Sequence, residues 1–330
     1  MESPGPIAQG TAAPAPQRDA SGRALGDNLF LGITGATAAF INLTLLLIIV
    51  ILADDSLPTL RVFGLPFLWG TSWVPPNGIT PQLYGALPFI YGTLVTSALA
   101  LLIGVPISIG IAIFLVELSP GWLREPLGFV VELLAAVPSV VYGLWGIFVL
   151  VPFMGSTVDP ALGSALGWTP LFSGSSQGYN MLTAGVILAI MIIPTVSSIT
   201  RDALKSVPQS QREAALSLGA TNWEATRVSV LTYARTGIFG AIILGLGRAT
   251  GETMAVTMTI GNGNFIHTSL LSSAQSIASF IANNFAEAGY LERSALLELG
   301  LVLLGISILT NVVARVLFRS LTGAGEEAGS

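Results

Sequence analysis

Long apolar runs with few charges alternate along this chain with shorter polar stretches. The first run spans about 29–53, a second lies within 84–116 and a third covers about 127–153. The fourth, fifth and sixth cover about 181–200, 236–260 and 296–318. A bilayer is crossed by about 20 mostly apolar residues of helix. Each run is long enough, so the pattern predicts an all-α polytopic membrane protein with six transmembrane helices. Trp69 and Trp73, with Pro75 and Pro76, sit in the first loop, where tryptophan suits a membrane interface. Pro106, Pro138, Pro194, Gly104, Gly110, Gly245 and Gly247 fall inside the runs. Neighbouring helices can satisfy the backbone at such breaks, and close packing of small residues accounts for most of them.

The polar stretches set the domain limits and the orientation. Residues 1–28, rich in Pro, Ala, Gly, Ser and Gln, read as a disordered cytoplasmic tail. The membrane domain is 29–320, and 321–330 form a second tail. The polar lead is too long for a signal peptide. With the N-terminus inside, Arg18, Arg23, Arg124, Arg201, Lys205, Arg212, Arg227, Arg235, Arg315 and Arg319 all face the cytoplasm. Only Arg61 and Arg293 lie outside. Positive residues favour the inner face, so six spans with both termini cytoplasmic fit, in a bacterial inner membrane.

Composition narrows the chemistry. The chain is 52% hydrophobic and 9% charged, against about 25% charged in soluble domains. It has no cysteine, which excludes disulfides, thiolate metal sites and cysteine nucleophiles. The single histidine, His267, cannot build a His-rich metal site and is expected in a loop. The single lysine, Lys205, follows Asp202, Ala203 and Leu204, so no P-loop exists and ATP is not bound that way. Gly245, Gly247 and Gly251 mimic a dinucleotide fingerprint, but the spacing is wrong and no strand precedes them. A net charge of −5 gives no reason to expect a nucleic acid partner. No His-Glu-x-x-His and no paired aspartates occur in the spans, which argues against an enzyme.

The longest inner loop, 201–234, is built rather than slack. Ser210-Gln211-Arg212-Glu213 fits a capping box with Pro208 beside it. The helix that follows ends at Gly219. Thr221-Asn222-Trp223-Glu224 fits a second capping box. Two short helices are therefore expected to meet at a Gly-Ala elbow on the inner face. Ala214, Ala215 and Gly219 let another surface come close to the first helix, or let that helix lie on its own bundle.

Glu213-Ala214-Ala215 followed by Gly219 resembles the EAA signature of ABC importer permeases. The family pattern continues Ile-x-Leu-Pro; here Leu231 keeps the Leu, while Ser229 and Thr232 replace the Ile and the Pro. "AAVPSVVYGLWGIFVLVPF" (135–153) and "GLGRATGETMAVTMTIGN" (245–262) resemble the C-type permeases of phosphate-specific importers, and the likeness covers about 84–318. The resemblance implies a type I ABC importer permease (MetI-like) bundle whose EAA helix docks on an ATPase. It also implies an ATPase dimer that binds the ATP and magnesium, a second related permease and an external phosphate-binding protein. This chain itself needs no cofactor.

Arg248 and Glu252 stand four residues apart in the fifth run. On one helix they share a face. An arginine at mid-bilayer costs about 3 kcal/mol even on a lenient insertion scale, and such a pair returns only about 0.2–0.5 kcal/mol. Stability does not explain the pair, so a role on a translocation path is the stronger reading. Arg248 offers a planar fork of donors to an oxyanion. Glu252 can accept a hydrogen bond from a P–OH group, which sulfate lacks. Gly245, Gly247 and Gly251 keep the helix slim. The alternative is a salt bridge that only fixes packing. Glu132 is expected to snorkel or pair with Arg124, and Glu298 to reach the outer interface. Other oxyanions (molybdate, tungstate, sulfate) and an ATPase-independent anion transporter remain the competing functions.

Overall fold

The computed structural model describes residues 20–75, 81–174 and 177–323. Six helical stretches among them are long and apolar enough to cross a membrane: Leu29–Phe63, Leu87–Leu118, Ser139–Leu166, Met181–Lys205, Asn222–Gly251 and Tyr290–Val316. Extended pairing among the described residues is limited to two isolated bridges, Val74 with Leu83 and Gly261 with Ala274. The helices are α1 (Ala20–Phe63), α2 (Leu87–Ile113), α3 (Gly121–Ala135), α4 (Ser139–Trp145), α5 (Val151–Phe153) and α6 (Asp159–Leu166). They continue with α7 (Met181–Lys205), α8 (Gln209–Ser217), α9 (Asn222–Ala225), α10 (Leu231–Gly251), α11 (Met254–Thr259), α12 (Ile277–Asn284) and α13 (Tyr290–Gly323).

The chain divides into two compact units, Met1–Ile51 and Leu52–Ser330. In the first, α1 carries exposed apolar side chains such as Leu31, Phe40 and Leu47. Of the expected tail at 1–28, residues 1–19 lie outside the described residues, and 20–28 are already helical. Of the expected tail at 321–330, residues 321–323 finish α13 and the rest lies outside the described residues.

In the second unit α7 is the most enclosed span, with buried residues all round it. A helix apolar on every side belongs inside a bundle. Leu188, Ile192 and Val196 form a core with Ala241, Ala249 and Val256. Along α7, α2 runs in the same direction: Ser108 on α2 donates to the carbonyl of Ile193 at 3.3 Å. α10 runs the opposite way, with Gly237 against Ala203 and Gly245 against Val196. One end of the unit therefore carries α8, α9 and the start of α10. The other carries α11, α12 and the start of α2, where Thr93 accepts from the N–H of Ile277 at 2.9 Å.

The spans depart from the sequence pattern most at the third and fifth, and the first runs on to Phe63 instead of ending near 53. The third apolar run is cut by Pro138, which sits in extended backbone between α3 and α4. A residue before proline is pushed out of the α region, so α3 ends at Ala135 and is not part of the span. α3 instead exposes Trp122 and Phe129. The third span begins at Ser139 and continues past Phe153 to Leu166. Pro152 within it lacks a backbone donor, and wider π-helical turns flank it at Gly146–Leu150 and Met154–Val158. The fifth span starts earlier than expected, at Asn222, and stops at Gly251.

Candidate functional site

The fifth span stops between the two members of the charged pair, at Gly251. Glu252 has extended backbone (φ −71°, ψ 128°), and helix resumes only at Met254. Arg248 and Glu252 therefore do not share one continuous helical face, and the i,i+4 geometry expected of them is absent. Among the described residues they form no ion pair. Glu252 turns its Oε1 to the N–H of Ala255, 3.4 Å away in the first turn of α11. Arg248 turns the other way and donates from Nη1 to Thr195 Oγ1 on α7 at 2.8 Å. Thr195 lies ten residues before the end of α7, about 15 Å along its axis at 1.5 Å per residue. Arg248 is thus near the middle of the span's height. A helix interrupted at membrane depth is tolerated where it borders protein or a water-filled cavity.

Arg248 is half-buried and lines a cleft of about 530 Å³ between α10 and α13, with Gly247, Asn311 and Arg315 among its walls. The glycines expected to keep the helix slim split into two kinds. A Cβ on Gly245 would press on Val196, so Gly245 serves packing; at Gly247 and Gly251 the space is open. Gly247 is the one that lets the cleft reach the α10 backbone.

The loop at 201–234 forms as two helices, with one change at its start. Pro208, not Ser210, is the N-cap of α8, so the first capping box does not form. Proline already supplies the extended φ/ψ that a cap needs. The second box does form: Thr221 Oγ1 accepts from the Glu224 N–H, and the Glu224 carboxylate accepts from the Thr221 N–H at 2.8 Å. Gly219 has φ +86°. The N–H groups of Gly219 and Ala220 reach back to the carbonyls of Leu216 and Ala215 at 3.0 and 3.2 Å, the double bond that ends a helix on a left-handed residue. Glu213 and Ala214 are exposed, and Ala215 is partly covered. Beside them Leu218 is 89% exposed and Trp223 stands half out. Exposed apolar groups next to a built elbow suit a docking surface. Ser229, which departs from the family pattern, donates to the carbonyl of Gln211 at 2.9 Å and ties the loop's exit to α8.

Several partners were not visible in the sequence. Arg212, inside the EAA helix, pairs with Glu117 at 2.9 Å and donates to the carbonyls of Val207 and Leu204. It anchors α8 to the end of the second span. Glu132 pairs with Arg201 and not with Arg124, which instead donates to the Ser119 carbonyl. The Arg201 guanidinium, hydrogen-bonded and close, holds the Glu132 carboxyl below the usual glutamate range. Gly128 makes room for it: a Cβ there would approach Arg201 Nη1 at 2.5 Å. Glu298 does not reach an interface; it is 7% exposed, and its Oε2 has no hydrogen-bond partner. Asp159, buried on α6, accepts from Asn180 Nδ2 at 2.8 Å, and Asn180 caps the start of α7. At the α12 end, Tyr84 is buried under Trp73, and burial together with Glu292 pushes its hydroxyl up to about 12. His267 lines two clefts at that end, in the segment between α11 and α12. No three His, Cys, Asp or Glu among the described residues come together as a metal site.

The family described as "Binding-protein-dependent transport system inner membrane component" matches residues 104–323. The phosphate transport system permease protein PstC of Pasteurella multocida is 47% identical over 293 residues, covering 88% of this chain and 90% of that protein. PstC of Mesorhizobium japonicum is 47% identical over 305 residues, covering 90% and 92%. PstC 1 of Mycobacterium tuberculosis is 39% identical over 287 residues, covering 80% and 85%. Among solved structures, a chain of a bacterial ABC transporter that imports alginate aligns with a TM-score of 0.56 at 17% identity, over 91% of this chain and 99% of that one. A chain of the MetNI methionine ABC transporter in an inward-facing conformation aligns at 0.51 and 17% identity, over 70% and 94%. At that identity the likeness is one of fold: that of the MetI-like importer permeases.

Proposed function

Because this chain belongs to the PstC family of phosphate transport permeases, we propose that it forms one half of an ATP-driven import path for inorganic phosphate. The observation that carries the reading is Arg248, a guanidinium at mid-height of the span with no carboxylate partner among the described residues. A charge kept in the membrane without a protein counter-ion marks a functional site. A passing anion supplies the missing charge, and the planar fork fits two oxygens of a phosphate. Glu252, separated from Arg248 by the helix break, has carboxylate lone pairs left to accept a hydrogen bond from the P–OH group that phosphate carries and sulfate lacks. Discrimination then comes from repulsion of the unprotonated anion.

The partners follow from the same reading. An ATPase dimer holds ATP and magnesium and docks at Glu213, Ala214, Ala215 and Gly219, beside the exposed Leu218 and Trp223. A second, related permease completes the path, and an external phosphate-binding protein delivers the ion. Both termini face the cytoplasm, by the asymmetry of basic residues. Closure of the ATPase pair pushes on α8; the Arg212–Glu117 link carries that push into the second span, and the bundle opens to alternate faces. The chain itself carries out no covalent chemistry.

The test is reconstitution of the full complex in liposomes. Phosphate delivered by its binding protein is expected to stimulate ATP hydrolysis and to accumulate inside, with sulfate inert. Glu213→Ala is expected to weaken ATPase docking or to uncouple hydrolysis from uptake. Uptake that persists without the ATPase would point to a secondary transporter. Accumulation of sulfate or molybdate at the rate of phosphate would point to another oxyanion.

A further inference from the structure

The cleft that Arg248 lines extends along the membrane normal, and its other polar walls come from the sixth span. Helices α10 and α13 run in opposite directions, with Phe239 stacked on Phe318 at 4.1 Å between ring centres. Counted from that level at about 1.5 Å per residue, Arg315 lies about 5 Å up α13, Asn311 about 10 Å up it and Arg248 about 14 Å up α10. Asn311 and Arg315 are four apart and share the face of α13 that lines the cleft. The three polar side chains thus form a descending series from mid-height towards the end that carries α8.

Their chemistry is unusual for a cleft that runs from mid-height of a span to Arg315 near its inner end. The cleft walls hold two guanidinium groups and no acid. Among the described residues neither Arg248 nor Arg315 meets a carboxylate. Asn311 donates from Nδ2 to the Ser307 carbonyl at 2.8 Å, while its Oδ1 is shielded from solvent and has no partner. A buried acceptor left open among donors costs stability unless something fills it. A hydrogenphosphate supplies both needs: oxyanion oxygens for the guanidinium forks and, once the Asn311 amide rotates towards the cleft, a P–OH for its oxygen. A lipid phosphodiester meets the cations equally well but has no P–OH to give.

We propose that this cleft is a second station of the anion path, where Asn311 and Arg315 receive a hydrogenphosphate released from Arg248 and pass it towards the cytoplasmic face. The proposal rests on the phosphate-import reading above and adds residues from a helix outside the charged motif. Binding at graded positions of similar strength, rather than at one deep site, is what lets an ion leave as readily as it enters.

Uptake of radiolabelled inorganic phosphate by the reconstituted complex tests it, in vesicles of phosphatidylcholine alone and of phosphatidylcholine with phosphatidylglycerol. Arg315→Ala is expected to lower uptake about tenfold, the loss of one charge-assisted contact, in both lipid mixtures, and Arg315→Lys to recover part of it. Wild-type uptake by Arg315→Ala overturns the proposal. So does a loss confined to phosphatidylglycerol vesicles, which assigns the cleft to a lipid headgroup. A wild-type complex that moves no phosphate refutes the import reading instead. If Arg315→Ala fails to assemble, labelling decides. The chain has no cysteine, so Asn311→Cys puts a single thiol in it. An anionic methanethiosulfonate is expected to react about tenfold faster than a cationic one, given the local potential, and inorganic phosphate to slow it. Faster reaction with the cationic reagent, or none with either, overturns the proposal.

Discussion

Arg201 and Arg212 differ from Arg248 and Arg315 in what answers their charge. The first two sit at the end of the unit that carries α8, and each meets a glutamate: Arg201 with Glu132, Arg212 with Glu117. The other two line the cleft between α10 and α13, where no acid stands. All four are the same side chain in the same apolar protein. The paired ones join elements far apart in the chain and act as scaffold. The other two meet no carboxylate, and Arg248 gives one N–H to Thr195 and keeps the rest of its fork available. An arginine in a membrane protein therefore declares its role through its partner, and only folding shows the partner.

The largest effect expected from this contrast is on transport. Arg248→Ala should reduce phosphate uptake about a hundredfold, corresponding to about 3 kcal/mol for a strong charge-assisted contact, while the complex still assembles. Arg248→Lys keeps the charge but loses the fork and should recover only part. Loss of assembly with normal transport in any rescued complex would put Arg248 among the scaffold arginines and break the comparison.

Arg212→Ala should act differently. It strands Glu117, which is 13% exposed, and frees the carbonyls of Leu204 and Val207. A cost of about 1.5–3 kcal/mol should appear as a lower melting temperature and as ATP hydrolysis no longer stimulated by phosphate. Unchanged stability and coupling would remove Arg212 from the transmission of the ATPase stroke.

Gly128→Ala sharpens the scaffold side of the contrast. The added methyl group meets the Arg201 guanidinium, and overpacking of this kind costs about 1–3 kcal/mol. The expected result is a lower melting temperature with phosphate selectivity intact. A neutral outcome would mean that Arg201 can swing aside without loss.

The smallest effect is one of pH. Because Arg201 lowers the Glu132 pKa in the folded protein, the carboxylate contributes stability above its unfolded value of about 4.3. That contribution is lost as pH falls through the lower, folded value. Glu132→Gln should melt earlier than wild type at neutral pH and at the same temperature once both are strongly acid. Parallel melting curves at every pH would show that this pair, whose carboxylate is half exposed, adds nothing, as many surface pairs do.

Features that depend on near neighbours in sequence were legible before folding. The six spans are written as runs because lipid demands uninterrupted apolar length. The Thr221–Glu224 box and the turn at Gly219 are local hydrogen-bond patterns, complete within a few residues, and both formed as read. The EAA element likewise appears as an exposed helix of the loop. What depends on distant packing was not legible. The third run reads as one span through Pro138 because proline is tolerated inside a bilayer helix, but the structure ends α3 at Ala135 and starts the span at Ser139. The run through Arg248 and Glu252 reads as one helix because glycine and threonine are tolerated inside a bilayer helix.

By itself, then, the amino-acid order determined class, span number and the local shape of the loop at 201–234. Local propensity and the hydrophobic requirement act over one helix length and need no third dimension. Tertiary structure alone decided that the helix breaks between Arg248 and Glu252, that Glu298 is buried, and that Glu117 answers Arg212 across 95 positions. Ion pairs and breaks of this sort are settled by which surfaces meet, and charge acts through space with no regard for separation along the chain.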